Sequence, residues 1–214
     1  ALAESSTLRA KPPFEVTLGV PANANSNQRF LTVEAFRASG FSVLGLLNEP
    51  SAASIEYGHN NPTEASRDRI VVYDLGGGTF DASLVELAGK SHAIFASEGI
   101  GTLGGDDFDH LLAEMAYPLN DLSQAELFRL HDECRIKKEA LNPNSRKIVI
   151  DLESVRAGLG TSTIAVADFY DRCLPMVEET LHATADLIAR ESGLECLYVT
   201  GGGAELPLIW RILK

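Results

Sequence analysis

Residues Ile70–Asp81 read IVVYDLGGGTFD, and the fold depends on how that stretch is understood. Ile70, Val71, Val72 and Tyr73 form a short β-branched and aromatic run without alternation, which predicts a strand covered on both faces. Asp74 stands at its exit. Gly76, Gly77 and Gly78 follow, and without Cβ atoms their backbone N–H groups can converge on one point, a geometry that suits phosphate oxygens. Thr79 adds a hydroxyl. Phe80, Ala82, Leu84 and Leu87 predict a second strand returning beside the first, with the glycines at the hairpin tip. A carboxylate beside a phosphate is repulsive unless a hard cation lies between them, so Asp74 is expected to hold Mg²⁺ through its waters, with Asp81 a weaker candidate. Taken alone, the stretch is equally a glycine hairpin with an acidic flank.

On the N-terminal side, Pro12 and Pro13 interrupt a helical stretch and Phe14 to Val20 predicts a strand. Asn25 or Ser26 can cap a helix whose apolar side is Phe30, Val33, Ala35, Phe36 and Ala38, closed by Gly40. Phe41 to Leu47 predicts another strand, so the segment reads as a βαβ unit with parallel strands. Asn48, Glu49 and Pro50 stand at its end, and a helix continues through Ser51, Ala52, Ala53 and Ile55 towards Gly58. Glu49 thus projects from a strand end, the side on which such sheets bind ligands. A first-turn acid facing the helix dipole, worth about 0.3–1 kcal/mol, explains it as well. Residues 60–67, NNPTEASR, read as a surface loop.

On the C-terminal side, Ser91 to Ser97 predicts a strand, and a helix starts at Asp106 with Phe108, Leu111, Leu112 and Met115 on its apolar face. Residues 99–104 between them satisfy G-x-G-x-x-G. A dinucleotide site requires a second parallel strand after that helix. Tyr117 to Leu141 instead reads as polar and helical, with Leu119, Leu122, Leu127, Leu130 and Ile136 at helical spacings, which disfavours that site. Lys147 to Ile150 and Ser162 to Val166 predict two short strands. A core helix from Phe169 carries Cys173, Met176, Val177, Leu181, Ala185, Ile188 and Ala189, ending at Gly193. Cys196 to Val199 predicts a buried strand that opens into Thr200-Gly201-Gly202-Gly203 and a helix near Pro207. Such a turn either approaches a purine or phosphate closely or is an ordinary tight βα connection.

Composition narrows the classes. The 214 residues, 45% hydrophobic and 22% charged, allow one large domain or two small lobes. A formal charge of −12 argues against a nucleic-acid partner, which needs clustered Lys and Arg. Cys134, Cys173 and Cys196 have neither zinc spacing nor an even count, which fits a reducing, cytoplasmic setting. The five histidines lack H-E-x-x-H and read as surface or packing residues. No apolar run is long enough for a membrane span, so no membrane association is expected. The first residues read as the tail of a helix and PLIWRILK as a helix cut short, so a piece of a longer protein is expected.

DLGGGTFD closely resembles the phosphate loop of the seventy-kilodalton heat-shock chaperones (DnaK-type), members of the actin and sugar-kinase ATPase superfamily. VPANANSNQRF, NEPSAASIEYG, LGGDDFD, CRIKKEALN and TGGGAELP resemble further motifs of that family, in family order. The resemblance covers nearly all of the chain. It implies an α/β, actin-like ATPase (ribonuclease H-like) lobe with an inserted α+β subdomain. Residues 1–66 would be the later part of the first lobe, 67–103 and 172–214 the core of the second, and 104–171 the insert. By the same resemblance ATP or ADP would be held by Gly76, Gly77, Gly78, Thr79, Gly104, Gly105, Lys138, Asn142, Gly201, Gly202 and Gly203, with Mg²⁺ on the waters of Asp74. Glu49 would orient the attacking water and Pro50 would be a hinge. Lys138 matches a lysine that reaches the ribose. The implied function is ATP hydrolysis coupled to protein folding in a stress-response chaperone, with a J-domain protein, a nucleotide exchange factor and client polypeptides as partners. The fragment alone should hydrolyse ATP poorly.

Five positions depart from the family pattern: Arg135 stands for an acid, Glu139 for a common basic residue, Asn142 for serine, Gly203 for another serine, and Glu205 for the arginine that stacks on adenine. A carboxylate cannot make that cation–π contact, so these departures bear on the nucleoside more than on the phosphates. A degenerate, non-hydrolysing relative that serves as a protein-binding module is the alternative. A sugar or acetate kinase of the superfamily is disfavoured by NEPSAA and LGGDDFD.

Overall fold

A computed structural model describes residues 14–22, 24–60, 68–88, 91–189, 194 and 196–214. The early helical stretch, most of the 60–67 loop and Gly193 lie outside them.

The chain enters as a βαβ unit of β1 (Glu15–Val20), α1 (Ser26–Ala38) and β2 (Ser42–Asn48). Its two strands pair in parallel, Glu15 opposite Ser42 and Val20 opposite Asn48. Asn25 is the cap: its side chain accepts from the Gln28 N–H at 3.0 Å while the Gln28 side chain accepts from the Asn25 N–H at 2.9 Å. Arg29 ties the helix to the end of β2 by donating to Asn48 Oδ1 at 2.9 Å. Gly40, at φ +87°, takes the left-handed position after the helix. The expected apolar side of α1 is only partly covered. No α1 residue is buried and Phe30 is 62% exposed, because a two-stranded sheet offers little surface to pack against.

α2 (Glu49–Asn60) links this unit to the central sheet, whose strand order is β5 (Ser91–Ile100), β4 (Phe80–Ala88), β3 (Asp68–Leu75), β8 (Cys196–Thr200). β3 is antiparallel to β4 and parallel to β8. The pleat sorts its residues as the uninterrupted apolar run predicts. Ile70 and Val72 meet Ala53 of α2 on one face, whereas Val71, Tyr73 and Leu75 enter the main core on the other.

α5 (Val166–Ile188) covers that second face. Its buried stripe includes Phe169, Cys173, Val177, Thr180, Thr184 and Leu187, so the assignment of Ala185 and Ala189 to the core is corrected: both are exposed. Thr180 takes a core position because the buried Tyr73 hydroxyl requires a partner, at 2.7 Å from Thr180 Oγ1. Thr180 and Thr184 in turn donate to the carbonyls of Val177 and Thr180.

Between β5 and α5 lies an α+β unit: α3 (Gly105–Ala116), α4 (Gln124–Glu139) and a hairpin of β6 (Lys147–Asp151) and β7 (Thr161–Ala165). The expectation of continuous helix from Tyr117 is corrected. Leu119–Asp121 is a 3₁₀ turn and α4 begins only after Ser123, whose backbone N–H donates to Glu126 Oε2 at 2.8 Å in a capping box. Leu130, Cys134 and Lys138 form the buried stripe of α4, and Ile136 is half exposed. A 3₁₀ turn at Gly202–Glu205 and α6 (Pro207–Ile212) follow β8. Among the described residues no helix is long and apolar enough to cross a membrane.

Candidate functional site

Three glycine turns far apart in sequence meet at the ends of β3 and β8. The β3–β4 tip closes on itself through the Gly76 N–H, which donates to the Thr79 carbonyl at 2.9 Å. The Gly76 and Gly77 carbonyls then accept from the first N–H groups of α3, Gly105 at 2.9 Å and Asp106 at 2.7 Å. The N–H groups of Gly77 and Gly78 donate to no acceptor among the described residues, which leaves them available to an anion.

Side chains would not fit this seam. A Cβ on Gly104 would overlap the Gly77 carbonyl, although its backbone is ordinarily extended. Gly203 would place one 2.7 Å from Gly76 O and 2.9 Å from Leu75 O. Gly201, at φ +90°, would place one 2.6 Å from Asp74 Oδ1. Gly105 lies between Lys138 and Gly203, with its Cβ position 3.3 Å from the Lys138 ammonium.

Lys138 is nearly buried. Its ammonium donates to the Gly105 carbonyl at 2.6 Å and pairs with Asp109 Oδ1 at 2.8 Å. Burial pushes the Asp109 carboxyl up and Lys138 pulls it back.

The residues Asp74 and Asp81 stand directly opposite each other across β3 and β4, on the sheet face that α2 covers. α2 begins at Glu49, so three carboxylates share one neighbourhood. Burial, then the charges of Asp74 and Glu49, push Asp81 up to about 6. Burial raises Asp74, and burial with the Asp74 charge raises Glu49. Asp81 is 6% exposed and its Oδ1 has no hydrogen-bond partner. Each of these conditions is relieved by a cation. Among the described residues no three His, Cys, Asp or Glu side chains stand close enough to ligate one metal directly. The arrangement therefore fits a hydrated divalent ion held through water.

Beside the glycine seam a cleft of ≈ 90 Å³ is lined by Lys138, Glu139, Gly202, Gly203 and Glu205. Glu205 also borders a groove of ≈ 460 Å³ with Asn142, Pro143, Pro207, Trp210 and Arg211. Asn142 Oδ1 accepts from the Asn144 N–H at 3.0 Å, which fixes the turn after α4. Pro50 is buried in the first turn of α2, beside Glu49, and Thr79 closes the glycine loop. The sequence-predicted residues thus fall into a glycine seam, a carboxylate face and a cleft. Asp109 and Trp210 were missed. Asp109 lies within the quoted LGGDDFD, and Trp210 is the single tryptophan, seven residues after the last glycine.

A family model described as Hsp70 protein matches residues 5–214. The chain is 36% identical over 203 residues to the chaperone protein HscA of Klebsiella pneumoniae (strain 342), covering 91% of this chain and 31% of that protein. It is 35% identical over 199 residues to the HscA homologues of Burkholderia cenocepacia (strain HI2424) and Burkholderia multivorans (strain ATCC 17616 / 249), covering 89% of this chain and 31% of each. The chain spans about a third of the length of these relatives.

Proposed function

Because this chain belongs to the Hsp70 protein family, we propose that it forms part of the nucleotide-binding domain of a chaperone ATPase. The observation that carries the reading is the convergence of residues 76–78, 104–105 and 201–203 beside the Glu49–Asp74–Asp81 carboxylates. The N–H groups of Gly77 and Gly78 bind phosphate oxygens of ATP or ADP, and Thr79 and Gly201–Gly203 complete the seam. Asp74 holds the waters of Mg²⁺, and Glu49 orients the attacking water by accepting its hydrogen bond. The bound ion supplies neutralisation of charge on the transferred phosphoryl group. Lys138, braced by Asp109 and Gly105, positions the wall on which the ribose rests, and Asn142 lies beside the base. Pro50, at the junction of β2 and α2, transmits nucleotide state to the rest of the protein. Residues 1–66, 67–103 with 172–214, and 104–171 act as three bodies around the site. The whole protein would work in the cytoplasm with a J-domain partner, an exchange factor and client polypeptides.

The test is calorimetric titration of Mg·ADP and Mg·ATP into the full-length protein. Binding in the micromolar range or tighter, lost in Asp74→Ala, is the expected result. A folded protein that binds neither nucleotide would overturn it. A second reading, a protein-binding module that keeps the fold without hydrolysis, is favoured by Glu205 at the cleft, where a carboxylate repels phosphate and cannot stack on a base.

A further inference from the structure

α3 and α4 are joined by a histidine pair that the nucleotide reading does not use. His110 Nδ1 of α3 lies 3.3 Å from His131 Nε2 of α4, with ring centroids 5.4 Å apart and planes inclined by 60°. Behind the first ring, His110 Nε2 lies 3.5 Å from Glu114 Oε1, one turn further along α3. With its proton on Nε2, towards that carboxylate, His110 would present the Nδ1 lone pair to His131. Metal-binding histidines are commonly braced in this way.

The spacing suits a chelate as well as a hydrogen bond. Two imidazole nitrogens each about 2.1 Å from one tetrahedral ion lie about 3.4 Å apart, with ring centroids about 5.3 Å apart. The pair differs from both values by only a tenth of an ångström or so. His110 is more than half exposed, and His131 borders an open cavity of ≈ 380 Å³ with Asp106, Asp109, Asp132 and Arg135. The nearby cations are already compensated, Arg135 by Asp132, Lys138 by Asp109 and Arg172 by the second oxygen of Glu114 at 3.5 Å.

We propose that His110 and His131 form a two-histidine site for a divalent transition metal ion such as zinc or nickel, with Glu114 bracing His110 and water completing the coordination shell. Imidazole suits these ions, whereas magnesium prefers oxygen. The protein would supply two ligands, since among the described residues no group of three exists. The ion would clip α3 to α4. Because the first residues of α3 hold the Gly76 and Gly77 carbonyls, the clip would stiffen one wall of the glycine seam.

The test is titration of ZnCl₂ into the nucleotide-free, metal-stripped full-length protein, followed by calorimetry and by the thermal midpoint. Expected are one ion per chain and a raised midpoint, with affinity about 10-fold or more weaker in His110→Gln and in His131→Gln and a smaller loss in Glu114→Gln. All three positions are solvent-accessible, and circular dichroism verifies that each variant folds. Absence of binding overturns the site and leaves a plain histidine–histidine hydrogen bond. Binding undiminished in both histidine variants overturns it too, since the ion would then sit elsewhere, for instance on Cys196 or His92.

Discussion

Asp81 shows how one residue acquires its chemistry from neighbours. Its carboxyl titrates near 6 in the folded chain against an ordinary value near 4, because it is buried and faces Asp74 and Glu49. A folded-state pKa above the unfolded one means that the native state binds the proton more tightly. That stabilisation is complete below about pH 4 and is lost as pH rises through about 6. Asp81→Asn should therefore stabilise the nucleotide-free protein at pH 7.5 by about 1–3 kcal/mol and narrow the gap between urea midpoints at pH 5 and 7.5. A mutant gap as wide as that of the wild type would assign the titration to another group. Conversely, a cation at this face must displace protons, so Mg²⁺-dependent nucleotide affinity should rise from pH 5 to 7. Asp74 and its glycines were legible because the string carries its own geometry. The strain on Asp81 was not, since it arises from the register Asp74–Asp81 and from α2 lying over that face.

At the scale of elements, the seam between the glycine loop and α3 depends on Gly104. Gly104→Ala should lower stability by about 1–3 kcal/mol, because its methyl group would meet backbone rather than a movable side chain. Gly101→Ala, which meets nothing within 4 Å, is the control and should be near neutral in the same urea titration. Within the core, Thr180→Val keeps the shape but leaves the Tyr73 hydroxyl without its partner, at a cost of about 1–3 kcal/mol. Reading apolar residue types put Ala185 on that face of α5, whereas counting turns from Phe169 and Val177 leads to Thr180 and Thr184. A similar lesson holds at α4. The Ser123-x-x-Glu126 box marks its start in the sequence, yet Leu119 and Leu122 at helical spacing obscured it. Ser123→Ala should cost about 1 kcal/mol in thermal or urea unfolding.

Across the whole molecule, stability is unevenly distributed. The α1 helix buries no residue, whereas β3 and β4 are nearly enclosed. Amide exchange should therefore be fastest in α1 and β2 and slowest at Ile70–Tyr73 and Ala82–Val85. Equal protection of the two regions would show that the βαβ unit does not open separately. The order of motifs made the fold class legible. The contacts among residues 76, 104 and 201–203 are long-range, and no local pattern encodes them.

The parallel pairing of β3 with β8 also dictates a timetable. β4 can fold back on β3 as soon as the hairpin leaves the ribosome, but the other edge of β3 stays open until residues 196–200 are made. Over that interval an unpaired central strand can recruit the wrong neighbour. The glycine seam closes only when Gly201–Gly203 arrive. A ligand that needs all three glycine turns can thus stabilise the chain only after residues 201–203 are made.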